Sequence, residues 1–198
     1  MHKKLHALMS LCLLGFGTFA APGFAQTIGH HQKSNSDVAA LRALLISELR
    51  STHTQPEWFM PLDAAVGGLT AEQARWVPTN ASGKLNPNAN HSVGMIANHI
   101  LFWNSNALAH LKGQPVRNPS TNDETFNDFN PANWDKIVHD LDAVMRSLED
   151  LVAKSDDATL LQIAPTIERI STHTAYHTGQ IFYVRKLQGS WKQDNDVR

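Results

Sequence analysis

Apolar residues recur at spacings of three and four in four long stretches of the chain, and no stretch alternates apolar and polar residues as a strand would. The first stretch opens at Ser36, a good N-cap, and sets Val38, Leu41, Leu45 and Leu49 on one stripe up to about Ser51. A shorter helix is predicted after Pro56, through Phe59, Leu62 and Val66 to a stop at Gly67 and Gly68. Thr70 to Gln73 reads T-x-x-Q, a capping box that starts one more turn near Trp76. Residues 78–91 are rich in Pro, Asn, Gly and Ser and read as a loop. Ser92 caps a second long helix with Met95, Ile96, His99, Trp103 and Leu108 on its apolar face and Gly113 as its end. A polar connection from Gln114 to Pro131 follows. The third long helix starts near Asn133 and repeats Trp134, Ile137, Leu141, Val144, Leu148 and Leu151. The fourth is expected from Pro165 to Gln188, stopped by Gly189. Four amphipathic helices of this length can bury their stripes only against one another, so the predicted fold is all-α, a four-helix bundle with long crossover connections.

The N-terminus has a different pattern. Lys3 and Lys4 precede an apolar run from Leu5 to Phe19, and small residues stand at Gly23 and Ala25. That order describes a secretory signal peptide over residues 1–25, cut near Ala25. The run is shorter than the roughly 20 residues that span a bilayer, and Gly15, Gly17 and Pro22 interrupt it. Residues 26–35 are polar and aperiodic and read as a flexible tether, leaving residues 36–198 for the bundle. A secreted or periplasmic protein is therefore expected. Without the leader the only cysteine, Cys12, is gone, which removes thiolate ligands and a cysteine nucleophile and suits an oxidising compartment. The charge becomes 15 basic minus 18 acidic side chains, or −3, since Lys3 and Lys4 leave with the leader from a total of 17 basic and 18 acidic. Such a chain has no electrostatic attraction for nucleic acid or, once the leader is removed, for an anionic membrane.

Chemistry is concentrated in the histidines. His173 and His177 stand four apart in the fourth helix as HTAYH, so both rings share one face about 6 Å apart along the axis, a span one metal ion can bridge. Ile170, Gln180, Ile181 and Val184 continue the same stripe, so the two histidines point into the bundle. Two buried imidazoles need partners, and one ion satisfies both. The zinc-protease pattern HExxH is not met, because Thr174 stands where the general-base glutamate would be. The third ligand must come from another helix, and His99, mid-helix on the stripe with Met95, Ile96 and Trp103, is the candidate. Neutral imidazoles at about 2.0–2.1 Å suit one divalent metal ion, zinc or nickel foremost. His53, His91, His110 and His139 are expected in solvent. Asp123, Glu124 and Asp128 are expected on a solvated loop, and the five tryptophans in the core or at helix packing contacts. Of Tyr176 and Tyr183, the latter stands where it could approach the site.

The stretches LTAEQARWVP at residues 69–78, SVGMIANHILFW at 92–103 and HTAYHTGQIFYVRKLQG at 173–189 resemble the DinB/YfiT-like bundles, often described as metal-dependent hydrolases. The resemblance spans nearly all of the chain beyond the leader, in the right order. It implies a four-helix bundle with long crossovers in which His99, His173 and His177 bind one divalent metal and leave positions open for water or substrate. Family activities also include transfer or isomerisation with low-molecular-weight thiols. The leader departs from those members, whose thiol pool is cytoplasmic, and hydrolysis outside the cytoplasm needs only water. Several readings are thus open: a metal-dependent hydrolase, a thiol-dependent transferase or isomerase, a metal-binding or stress-related protein without catalysis, and a plain bundle whose histidines are core hydrogen-bonders. The first two take a small-molecule substrate, and a homodimer is left open. The sequence names no catalytic base.

Overall fold

The computed structural model describes residues 35–79, 82–84 and 91–191. The expected leader and tether, apart from Asn35, and most of the Asn-rich loop lie outside the described residues. Seven α-helices occur among those described: α1 (Asn35–His53), α2 (Leu62–Val66), α3 (Ala71–Arg75), α4 (Val93–Leu111), α5 (Glu124–Asn127), α6 (Trp134–Lys154) and α7 (Asp157–Gln188), with a 3-10 turn at Pro131–Asn133. No strand occurs among the described residues. No helix among them is long and apolar enough to cross a membrane.

Four helices are long. Each of α1 and α4 packs against both α6 and α7, so the pairs α1/α4 and α6/α7 sit on the diagonals. The stripes read from the sequence meet in the middle. Leu45 and Leu49 of α1, Ile96 and Ile100 of α4, Leu141 and Leu148 of α6, and Ile167 and Ile181 of α7 are all buried in one core. Each such side chain contributes about 1.5–3 kcal/mol of burial, and a helix rotated away from its stripe would lose several of these at once.

Local chemistry sets the ends. The hydroxyl of Ser92 accepts from the N–H of Met95, and Thr70 and Gln73 form the reciprocal capping box. Two helices begin elsewhere than the pattern predicts. The helix expected after Pro56 starts at Leu62, because Pro61 pushes the preceding residue out of the α region and then serves as the helix boundary. The last helix starts at Asp157, well before Pro165, with the Asp156 carboxylate accepting from the N–H of Thr159. Pro165 lies inside it. The lost hydrogen bond costs roughly 3 kcal/mol, and burial of Leu160 and Ile163, five and two residues before it on the core side, offsets it.

The connections carry structure too. Arg185 of α7 is buried and donates to the carbonyls of Ala64, Ala65 and Gly67 at 2.8–3.2 Å, which satisfies the open C-terminal end of α2. Burial lowers the pKa of that guanidinium. Trp134 donates its indole N–H to the Leu69 carbonyl at 2.8 Å. Gly94 lets the ring of Phe129 lie against α4, since a Cβ there would come within 2.1 Å of that ring. This close approach folds the α4–α6 connection back over α4, beside the histidines.

Candidate metal centre

Helices α4 and α7 bring His99, His173 and His177 together, with ligand nitrogens all within 4.8 Å of one another. Ring centroids lie 5.1 Å apart for His99 and His173, 4.6 Å for His99 and His177, and 4.5 Å for His173 and His177. His99 and His177 are buried, at 3% and 7% exposure, and His173 is half-buried. His173 and His177 share a face because four residues separate them on an unbroken helix.

Two rings have their tautomers fixed by outer partners. His99 Nδ1 lies 2.6 Å from the Thr125 hydroxyl oxygen, and that hydroxyl donates to the Asn122 carbonyl at 2.6 Å. The Thr125 oxygen therefore accepts, His99 carries its proton on Nδ1, and its Nε2 lone pair faces inward. His177 Nδ1 donates to Gln180 Oε1 at 2.7 Å, while the Gln180 amide N–H donates to the Tyr176 hydroxyl. Its Nε2 is likewise unprotonated. Outer-shell acceptors that fix the tautomer are the usual support of metal-binding histidines. The Nε2 atoms of His99 and His173 stand 3.1 Å apart. Two nitrogens at about 2.0–2.1 Å from one ion are separated by about 2.9 Å at a right angle and about 3.4 Å at the tetrahedral angle, so the rings need little movement to share one.

Electrostatics keep the cluster neutral. Burial, reinforced by the neighbouring His177 and His173, lowers the pKa of His99 to about 3. Burial and His177 lower that of His173 to about 4. His177 is lowered by burial, partly opposed by its bond to Gln180. Neutral imidazole is the form that ligates a metal, so the site is prepared over the whole neutral range. Among the described residues no carboxylate or fourth histidine joins the cluster. A closed structural centre would have one.

The cluster opens on a cavity of about 960 Å³. Phe126 of α5 stacks face to face on His99 at 3.9 Å and on His91 at 3.7 Å, a three-ring sandwich that walls one side. Trp103, Tyr176 and Tyr183 line the rest, with Asp123 near His91 and Arg169 further along α7. Thr174, in the place of the HExxH glutamate, is fully buried and accepts from the Asn104 side-chain amide at 3.1 Å. Its role is to join α4 to α7.

Several expectations are corrected here. His91 is half-buried against Phe126 and lines the cavity instead of facing solvent. His53 is buried, 2% exposed, with Nε2 at 3.1 Å from Asp142 and Nδ1 at 3.4 Å from Glu149. It joins α1 to α6, away from the cavity. The stretch expected as a solvated loop contains α5, which supplies Thr125 and Phe126, and Asp123 lines the cavity. Trp58 is exposed at 96%, not packed. His110 and His139 are exposed, as expected.

Taken together, fold and site define an all-α protein with an open three-histidine cluster able to hold one metal ion. The chain belongs to the DinB superfamily, whose family model matches residues 59–182. No curated protein and no solved structure matches it.

Proposed function

We propose that the protein is an exported metal-dependent hydrolase acting on a small-molecule substrate, with His99, His173 and His177 as the ligands of one zinc or nickel ion. The observation that carries this reading is the pair of unprotonated Nε2 atoms, on His99 and His177, fixed by Thr125 and Gln180 and converging beside an open cavity. A divalent ion held there supplies Lewis acidity for polarising a substrate oxygen and activating water.

The chain's own groups then have distinct tasks. His91 lies in the cavity, and burial lowers its pKa while the nearby Asp123 carboxylate acts in the opposite direction. The Phe126 ring lies between His91 and His99, so a neutral His91 takes the proton of an attacking water through cavity water and not by direct contact, and Asp123 steadies the charge that results. Trp103, Tyr176 and Tyr183 give the substrate apolar walls and thin out the water around the reacting bond. Export rests on the leader-like residues 1–25, and it favours water over a cytoplasmic thiol as the co-reactant.

The test is elemental analysis of the chain from residue 26 onward beside its His177→Ala variant, followed by a hydrolysis screen of aryl esters, amides and lactones with and without a low-molecular-weight thiol. One equivalent of zinc or nickel, lost in His177→Ala together with thiol-independent hydrolysis, is expected. The His91→Gln variant should keep the metal and lose turnover by about 10²–10⁴-fold. Turnover only with thiol would replace this reading by the transferase one, and a metal content unchanged in His177→Ala would remove the centre itself.

A further inference from the structure

The arginines among the described residues divide sharply. Arg42, Arg50, Arg75, Arg117 and Arg146 each hold a carboxylate, and Arg185 holds backbone carbonyls. Arg169 has no hydrogen-bond or ion-pair partner among the described residues, and it is the arginine that lines the metal cavity. It stands on α7 one turn before His173, an axial distance of about 6 Å. Thr166, three residues earlier, brings a hydroxyl to the same wall, and Ile170, Trp103 and Tyr183 supply apolar surface between that end and the histidines.

We infer that Arg169 is the anchor for a carboxylate on the substrate, so that the substrate class is an organic monoanion: a carboxylate at one end, an aromatic or apolar body, and the reacting carbonyl about one helical turn away at the histidines. This rests on the metal-centre reading above and deepens it. A guanidinium fork matches a carboxylate with two parallel hydrogen bonds. One cation balances one carboxylate. A phosphate dianion would want further donors, whereas the other charged group lining the cavity, Asp123, is itself an anion and sits with His91 beside α5. The cavity lining thus carries a cation on α7 and an anion beside α5, and the substrate's direction in it follows: its carboxylate lies toward Arg169, and its scissile bond lies at the three histidines.

A matched pair of metal-seeking probes tests this by affinity, independent of turnover. Benzohydroxamate and its para-carboxylate derivative are titrated against the zinc-loaded chain from residue 26 onward by calorimetry, and the ratio of their dissociation constants is read. Arg169 is exposed, so solvent screening limits the gain, and the carboxylate probe should bind about three- to tenfold more tightly. The preference should vanish in Arg169→Gln, persist in part in Arg169→Lys, and reverse in Arg169→Glu. Gln, Lys and Glu are all good helix formers at an exposed site, so the fold is preserved. Equal affinities of the two probes for the zinc-loaded protein, or a preference that survives Arg169→Gln, would overturn the carboxylate assignment and leave the metal centre standing. Benzohydroxamate binding that is the same with zinc and after chelation would overturn the metal centre and this inference with it.

Discussion

Thr125 offers the most informative single perturbation, because it touches the centre only through one hydrogen bond. Thr125→Val keeps the shape of the side chain and removes the oxygen that accepts from His99 Nδ1 at 2.6 Å. Thr125 is 1% exposed and His99 3%, so water does not easily replace the lost acceptor. A buried N–H left without a partner costs about 1–3 kcal/mol. The ring can escape that cost by moving its proton to Nε2, but then it presents N–H instead of a lone pair to the ion. Either way the loss appears in metal affinity. Removal of such an outer partner typically costs about 10–100-fold, which is about 1.4–2.8 kcal/mol and agrees with the hydrogen-bond figure. The assay is competition for zinc against a chromogenic chelator at neutral pH, with circular dichroism of the metal-free protein to confirm that the helices are intact. Thr125→Ser, which retains the oxygen, should stay within a few-fold of the parent. Wild-type zinc affinity in Thr125→Val would refute the assignment of His99 Nε2 as a ligand atom held in place by its outer partner.

Three further outcomes are expected. In the metal-free protein, His99 and His173 have native pKa values of about 3 and 4 against 6.5 unfolded, so the unfolded state binds more protons in that window and stability should rise with pH from about 4 to about 6.5, then level off. Thermal melts of the chelated protein across that range check it, and a melting temperature falling toward pH 6.5 would contradict it. His53→Ala removes a buried ring held between Asp142 and Glu149 and should lower stability by about 2 kcal/mol, or about 4–8 °C, while zinc affinity stays as in the parent, since His53 lies outside the cavity. Gly94→Ala should displace the Phe129 ring, whose Cζ would sit 2.1 Å from the new methyl group, and lower stability by about 1 kcal/mol even after the helix-propensity gain; an unchanged or higher melting temperature would count against the close approach.

The four long helices were legible because their apolar stripes are regular and their caps are strong, as at Ser92 and Thr70. The grouping of His99, His173 and His177 was legible for the same reason: the stripe that carries Ile96 and Ile170 inward carries the rings inward too. What escaped was either non-local or hidden by composition. Pro165 reads as a first helical position, and nothing nearby shows that burial of Leu160 and Ile163 on the bundle outweighs its cost. His53 sits at a helix end, where solvent is the usual surrounding, and only the packing of α1 on α6 brings Asp142 and Glu149 to it. Thr125, Phe126 and His91 lie in polar stretches. The one local sign was the apolar Phe126 and Phe129 among acidic neighbours, which the bundle uses to fold that stretch onto α4.

Thr166, Arg169, His173, His177, Gln180 and Tyr183 all belong to α7, an unbroken helix of 32 residues. Their separations are therefore multiples of a rise of about 1.5 Å that no change in side-chain packing can alter. The helix works as a ruler laid along the floor of the cavity, so a molecule with its two ends at the wrong spacing cannot be accommodated by local adjustment. Any retuning toward longer or shorter molecules has to come from the facing side, α4 and the short α5, while the scale itself stays fixed.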